Sequence, residues 1–140
     1  MKSENAQSYI RMFENLSTET IAGMDAFVCP HIRFKDPFND ITGIERFRAL
    51  LDKTLSDVTE PSFDVTHRAW DGDVLFLRWT FQGRVRVLGD WIVTGMSEIR
   101  FDAQGRVCEH IDHWDAAEQF YERLPVVRGV LRVIKRRLRV

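Results

Sequence analysis

Four strand-like stretches, separated only by short turns, most restrict what this chain can fold into. They cover residues 62–70, 74–87, 91–101 and 106–114, and the turns between them contain Gly72, Gly89 and Gly105. Strands joined by tight turns pair as antiparallel neighbours, and a sheet of long strands twists strongly. The second half of the chain is therefore predicted to be a curved antiparallel meander.

Helical patterns come before this meander. Apolar residues recur at helical spacing over residues 6–16, and Ser17 is a suitable N-cap for a second helix that Pro30 ends. The sequence Thr42-Gly-Ile-Glu45 is typical of a capping box, which predicts a third helix to about Ser56. Three helices ahead of an antiparallel sheet predict an α+β domain in which the helices cover one concave sheet face.

The length, the composition and the cysteines predict how many domains the chain forms and in which compartment it lies. With 140 residues, of which 44% are hydrophobic and 29% charged, the chain is predicted to fold around a single core. Cys29 and Cys108 are far apart and form no Cys-x-x-Cys pair, so a reducing compartment is expected. The first residues lack the apolar run of a signal peptide, and no stretch approaches the length of a transmembrane helix. We therefore expect a cytoplasmic protein.

The last predicted strand, over residues 107–115, is too polar for a plain core strand. Alternate residues share a face, so Cys108, His110, Asp112 and Trp114 stand together. We interpret this face as one wall of a pocket, with a short edge strand facing water as the alternative. Neighbouring side chains on one face point nearly parallel instead of converging, so neither a metal site nor another cofactor is predicted.

The strand predicted at residues 74–87 has two different faces. Leu75, Leu77, Trp79 and Phe81 form one wholly apolar face. Its uninterrupted hydrophobicity predicts packing against a second copy of the sheet, and so a homodimer. On the other face, Arg78 would need a carboxylate partner if it lay in a pocket, and exposure to water across an open face is the alternative.

The order of these features resembles the nuclear transport factor two-like superfamily. The resemblance rests on the Phe34-Lys-Asp36-Pro37 strand end, the third helix, the meander and the closing His110-Ile-Asp-His-Trp-Asp115, and it covers about residues 5–122. Members include ketosteroid isomerases, limonene epoxide hydrolases, SnoaL-like polyketide cyclases, scytalone dehydratases and non-catalytic proteins. The resemblance implies a cystatin-like cone over a SnoaL-like domain of residues 1–124, with helices wrapped on a curved sheet and a pocket at the wide end.

Carried over to this chain, the ketosteroid isomerase pattern is incomplete. Asp36 matches the catalytic base of those enzymes, whose oxyanion hole also needs a tyrosine and a protonated aspartic acid. This chain aligns Met12 with that tyrosine and Ser97 with that aspartic acid. Methionine donates no hydrogen bond and serine offers only a neutral hydroxyl, so ordinary ketosteroid isomerase chemistry is not expected.

The resemblance to epoxide hydrolases is also partial. Arg78 and Asp112 match two members of the Asp-Arg-Asp arrangement with which those enzymes activate water. Thr80 stands where they have the other carboxylate, and Phe34 replaces a water-holding tyrosine. A carboxylate paired to an arginine tends to have a lowered pKa and to be a poor base, so epoxide hydrolysis is not the expected reaction.

Of the three patterns, that of the SnoaL-like cyclases matches this chain best. Those enzymes need chiefly an aspartate and a histidine, and Asp112 with His110 or His67 resembles that pair. We predict a pocket for a small apolar or polycyclic molecule and cofactor-free acid–base chemistry of isomerase, cyclase or dehydratase type. Asp36 and Asp112 are the predicted catalytic carboxylates, oriented by Arg78 and His110. The predicted ligand-binding residues are Met12, Phe34, Phe47, His67, Thr80, Trp91, Ser97 and Trp114. The alternative is a non-catalytic ligand-binding or dimerisation module.

Residues 125–140 are predicted to form a basic amphipathic helix. Apolar residues recur there at helical spacing, and seven basic residues but no acidic one occur from Arg123 onward. Such a helix is suited to a weak contact with an anionic membrane or an acidic partner. No base-stacking or groove-entering motif accompanies it, so nucleic acid binding is not expected. Docking on the domain or on its dimer mate is the alternative.

Overall fold

The computed structural model describes all residues, 1–140, and places helices on one six-stranded sheet. The helices are α1 (Lys2–Glu14), α2 (Thr18–Ala22), α3 (Ile44–Asp57), α4 (Ala116–Gln119) and α5 (Pro125–Leu138), with 3-10 turns at Met24–Ala26 and Tyr121–Arg123. The strands are β1 (Val28–Lys35), β2 (Asp40–Thr42), β3 (Val58–Asp71), β4 (Val74–Val85), β5 (Gly89–Phe101) and β6 (Val107–His113). The predicted α+β class is confirmed.

The sheet has the strand order β2-β1-β6-β5-β4-β3. Strands β3 to β6 form the predicted antiparallel meander. Gly72, Gly89 and Gly105 all have positive φ angles, a backbone conformation that other residues rarely adopt. Outside this meander, β1 pairs with β6 in parallel, which was not predicted from the sequence. This pairing brings the first strand beside the ionisable last strand.

The second helix is shorter than predicted. α2 ends at Ala22, and the N–H of the following Gly23 bonds to the carbonyl of Glu19. Pro30 does not end a helix but lies inside β1, within an irregularity of the β1–β6 register. Proline is tolerated at such a position because an interrupted ladder does not need its missing N–H group.

The predicted capping box at α3 is also wrong. Gly43, with φ of 110°, occupies the N-cap position and no side chain caps the helix, while Thr42 belongs to β2 and pairs with Arg33. A capping box does occur one helix earlier. Ser17 Oγ accepts from the Thr20 N–H at 3.2 Å, and Thr20 Oγ1 accepts from the Ser17 N–H at 2.9 Å.

The core lies between the helices and the concave face of the sheet. The apolar face of β4, with Leu75, Leu77, Trp79 and Phe81, is buried there within the same chain. Packing of this face against a second copy is therefore wrong, because the helices already cover it. Dimerisation through the sheet stays a prediction and would involve the outer face, where Arg78 is exposed.

The predicted basic helix forms as α5. None of its residues is buried, and it packs mainly against the 3-10 turn Tyr121–Arg123 instead of the core. No helix in the structure combines the length and the apolar character needed to cross a membrane.

Candidate functional site

A cavity of about 620 Å³ lies between the concave sheet face, α3 and the segment that follows α4. Seventeen of its 24 lining residues are hydrophobic, and nine of these are aromatic. Ligand sites in proteins usually span roughly 300–1,000 Å³ and combine an apolar lining with a few polar groups. The polar lining residues here are Asp36, Asn39, Arg46, Lys53, Thr54, Asp57 and Asp112.

Four buried or partly buried hydrogen bonds connect five side chains at one wall of this cavity, and two of the five, Asp112 and Trp79, line it. The Tyr9 hydroxyl lies 2.6 Å from Nδ1 of His110, and Nε2 of His110 lies 2.5 Å from Oδ1 of Asp112. The same Asp112 oxygen accepts from Ser97 Oγ at 2.5 Å, and Ser97 Oγ accepts from Trp79 Nε1 at 2.8 Å. We refer to Tyr9, His110, Asp112, Ser97 and Trp79 as the relay.

The sheet register explains how the relay forms. Ser97 on β5 stands directly opposite Asp112 on β6. Trp79 on β4 stands opposite Gly95, two residues from Ser97 on the same strand face. A Cβ atom at position 95 would lie 2.6 Å from the Trp79 ring, so only glycine lets the indole lie over β5 and reach the Ser97 hydroxyl.

The protons of the relay can be assigned from its hydrogen bonds. Burial, and then the negative charge of Asp112, raise the pKa of Tyr9 well above its ordinary value, so the phenol keeps its proton and donates to Nδ1. Nε2 of His110 is then the nitrogen that carries hydrogen and donates to Asp112. In this tautomer both ring nitrogens of His110 are paired.

Asp112 is left with one oxygen bound and one oxygen free. Oδ1 accepts both donors, whereas Oδ2 makes no hydrogen bond within the protein. The side chain is 12% exposed and lines the cavity. A carboxylate that is fixed by hydrogen bonds to one oxygen and has its other oxygen free can accept a proton from a ligand.

Asp36 also lines the cavity but is engaged in a turn. Its Oδ1 accepts the backbone N–H groups of Phe38 at 2.8 Å and Asn39 at 2.7 Å, and the side-chain amide of Asn39 at 3.1 Å. These bonds shape the connection between β1 and β2, as expected of an aspartate before Pro37. Asp36 is therefore less available for chemistry than Asp112.

One end of the cavity is closed by the residues that follow β6. The Gln119 side chain accepts from the Thr94 N–H at 2.8 Å and donates to the Thr94 carbonyl at 3.0 Å, as a neighbouring strand would. The Gln119 carbonyl accepts from Trp91 Nε1 at 2.6 Å. Phe120 then packs edge-on against Trp91 and Phe38 in the cavity lining.

The two cysteines do not add a nucleophile or a metal site. Burial is the main cause that raises the pKa of Cys29 and of Cys108, which keeps both thiols protonated. A register irregularity at Cys108 interrupts the strand alternation, and Cys108, His110 and Asp112 do not form a group of ligands that could hold a metal ion.

The structure separates the predicted site residues into three groups. Phe34, Trp91, Trp114, Asp36 and Asp112 line the cavity. Met12, Phe47, Ser97 and His110 are buried, the last two in the relay and the first two in the core. Arg78, Thr80 and His67 lie on the outer face of the sheet, and the expectation that they line the pocket is wrong because the strand alternation of β4 and β3 directs them away from the helices.

The prediction missed Tyr9, Gln119 and Phe120. Tyr9 belongs to the apolar stripe of α1 and is the one residue of that stripe that carries a hydroxyl. That hydroxyl was the available signal, since a buried tyrosine usually finds a polar partner. Gln119 ends the short helix α4 and Phe120 follows it. Their position depends on the part of β5 that extends beyond its pairing with β6, which no local pattern indicates.

The sequence of this chain matches the model of one protein family. Residues 9–110 match the SnoaL-like domain. A comparison with curated protein sequences finds no match.

Several solved structures share the fold. TsrD from Streptomyces laurentii is 20% identical, with a TM-score of 0.70 over 88% of this chain and 93% of that chain. An LEH-like epoxide hydrolase from M. tuberculosis is 17% identical, with a TM-score of 0.67 over 94% and 92%. A putative SnoaL-like polyketide cyclase from Shewanella denitrificans OS-217 is 18% identical, with a TM-score of 0.66 over 84% and 95%. These likenesses confirm the predicted cone-shaped fold.

Proposed function

The chain belongs to the SnoaL-like domain family of the nuclear transport factor two-like superfamily, and we propose that it is a cofactor-free enzyme that transfers a proton on a small apolar molecule. The reaction class is isomerisation, cyclisation or dehydration that begins at a carbon next to a carbonyl group. The observation that carries this proposal is Asp112, whose Oδ1 is held by two donors while Oδ2 is free in an aromatic cavity.

In the proposed reaction, Oδ2 of Asp112 takes a proton from the carbon beside the carbonyl. The C–H electron pair moves into an enolate, and the resulting carboxylic acid returns the proton to another atom of the same molecule. His110 and Ser97 are positioning residues, because they bind the opposite oxygen of the carboxylate and fix its direction.

Two cations lie in the lining where the carbonyl oxygen could be bound. Arg46 and Lys53 both belong to α3 and both line the cavity, but Lys53 is paired with Asp57 at 2.7 Å, whereas Arg46 makes no ion pair. A positive charge near a developing enolate lowers the barrier more than it lowers the energy of the neutral ketone. Arg46 is therefore the proposed counterpart of Asp112, in place of the tyrosine and aspartic acid of ketosteroid isomerases.

The similar structures agree with chemistry of this kind. Two of them are named as a putative SnoaL-like polyketide cyclase and an LEH-like epoxide hydrolase, which supports a reaction on a small molecule. The apolar lining favours a largely hydrophobic substrate. The position of Arg78 on the outer face argues against an epoxide hydrolase arrangement, since its side chain does not line the cavity with Asp112.

The proposal can be tested without knowing the natural substrate. An apolar bicyclic ketone such as 2-tetralone, dissolved in D2O, exchanges the protons next to its carbonyl for deuterium, and NMR follows the exchange. The wild-type protein is expected to accelerate this exchange, and Asp112→Asn to lower the protein-dependent rate by about 10²- to 10⁴-fold. Asparagine retains an oxygen that can accept from Ser97 and His110, so the fold is expected to persist.

Asp36→Asn is the matched control, because it makes the same change at another carboxylate of the cavity. Its exchange rate is expected to stay within a few-fold of wild type. Equal rates for wild type and Asp112→Asn would refute the base assignment. Binding of the ketone with no acceleration by the wild-type protein would instead favour a non-catalytic ligand-binding module.

A further inference from the structure

Most of the apolar side of α5 is exposed, and only Val127 and Leu131 at its edge are half-buried. Its outward residues are between 49% and 81% exposed, and they are Val126, Val130, Val133, Ile134 and Leu138. At 100° per residue these positions form one continuous stripe along the helix. An apolar stripe on a helix normally faces a core, so this one is expected to be covered by something outside the domain.

A helix docked on a domain usually turns its apolar side toward that domain, whereas α5 turns its basic side toward it. Its basic side, with Arg128, Arg132 and Lys135, lines a groove whose other wall includes Asp90 and Glu122. Lys135 Nζ lies 3.1 Å from a carboxylate oxygen of Glu122. The polar side therefore faces the domain, and the apolar side faces away from it.

The charge of this segment distinguishes between the partners that could cover the stripe. From Arg123 onward there are seven basic residues and no acidic one. Two such helices packed stripe to stripe would bring their Arg137 side chains together, because Arg137 lies within the stripe, whereas a surface of anionic lipid attracts these cations. A basic helix with an apolar stripe and a polar side turned to the protein body matches the geometry of a helix lying in a membrane interface.

We propose that α5 holds this protein on an anionic lipid surface, with the stripe inserted among the lipid chains and the flanking cations near the phosphates. Arg137 lies within the stripe near the end of the helix and can extend its guanidinium to the headgroups. This inference does not depend on the chemistry of the cavity.

Flotation of the full-length protein with phosphatidylcholine vesicles, with and without phosphatidylglycerol, tests the proposal. Binding is expected only when phosphatidylglycerol is present and is expected to weaken with added salt. Arg136→Gln with Arg137→Gln should lower partitioning by about 30-fold, since each cation near the surface contributes roughly 5-fold. Arg78→Gln with Arg86→Gln removes the same charge from the domain and is expected to change partitioning much less.

A second pair of variants tests the stripe. Ile134→Asp on α5 should lower partitioning by at least about 10-fold, because it places a charge where apolar burial is expected. Ile92→Asp makes the same change at an exposed isoleucine of β5 and should leave binding near wild type. Circular dichroism confirms that both variants are folded.

Three results would overturn the proposal. One is no flotation with either vesicle, and another is equal flotation with both. The third is a dimeric mass by light scattering that Ile134→Asp converts to a monomer, since a second copy of the chain would then cover the stripe.

Discussion

Replacing Tyr9 by phenylalanine removes one oxygen atom from the relay and leaves the ring in place. The ring packs on Phe13 and Phe47, and these contacts survive the change. The lost hydroxyl is fully buried and is the donor to Nδ1 of His110, which is itself only 4% exposed. The variant therefore leaves a buried acceptor without a partner.

The cost of that unpaired acceptor can be estimated. Removing one partner of a buried hydrogen bond costs about 1–3 kcal/mol. For a domain of this length, such a loss lowers the melting temperature by roughly 3–10 °C. Urea titration should show a lower midpoint with an unchanged slope, because the surface exposed on unfolding stays the same.

Tyr121→Phe is the matched control for this experiment. Tyr121 is 41% exposed and its hydroxyl makes no hydrogen bond within the protein. The same atom is removed, but no buried partner is left behind, so the free energy of unfolding should change by less than about 0.5 kcal/mol. Equal stabilities for the two variants would refute the hydrogen bond between Tyr9 and His110.

Alkaline pH gives an independent test of the same residue. The pKa of Tyr9 is raised in the folded protein, so its contribution to stability is complete below the unfolded value and declines as pH rises above that value. Because the unfolded tyrosine loses its proton near pH 10, the stability difference between wild type and Tyr9→Phe should narrow by about 1.4 kcal/mol between about pH 8 and pH 11. A constant difference over this range would contradict a buried, protonated phenol.

Four further substitutions follow from the same structure and can be measured by urea unfolding. Ser97→Ala leaves Trp79 Nε1 buried without an acceptor and should cost about 1–3 kcal/mol. Gly95→Ala places a Cβ 2.6 Å from the Trp79 ring and should cost about 1–3 kcal/mol, with a shift of tryptophan fluorescence. Asp36→Ala removes the acceptor for two backbone N–H groups and should cost about 1 kcal/mol while the deuterium exchange rate stays within a few-fold. Arg78→Ala, at an exposed position, should change stability by less than about 0.5 kcal/mol.

The elements of this fold were largely predictable because their signals are local. The meander, its three turn glycines and the helix after Ser17 all follow from residues close together in sequence. The early end of α2 was missed because Pro30 was interpreted as a helix stop. The structure places it in β1, where a register irregularity accommodates it.

The two faces of β4 were separated correctly but assigned the wrong way round. Alternate side chains of a strand point to opposite faces of the sheet. This places Leu75, Leu77, Trp79 and Phe81 on one face and Arg78 on the other, whichever face the helices cover. Only the position of the helices decides which face becomes the core, and that is a contact between distant segments. An apolar face on a strand therefore indicates burial without indicating the partner.

The relay explains why the candidate site was only half predictable. His110 and Asp112 share a face of one strand, and their spacing alone indicated that they would lie together. The remaining three members come from α1, β5 and β4, and each depends on a register or a packing contact that local sequence does not determine. The parallel pairing of β1 with β6 adds Phe34 directly opposite His110, and its ring packs 4.8 Å from the imidazole. Because apolar rings surround His110 and exclude water, its two ring nitrogens depend on Tyr9 and Asp112 for hydrogen bonds. These bonds in turn fix the direction of the Asp112 carboxylate, which faces the cavity.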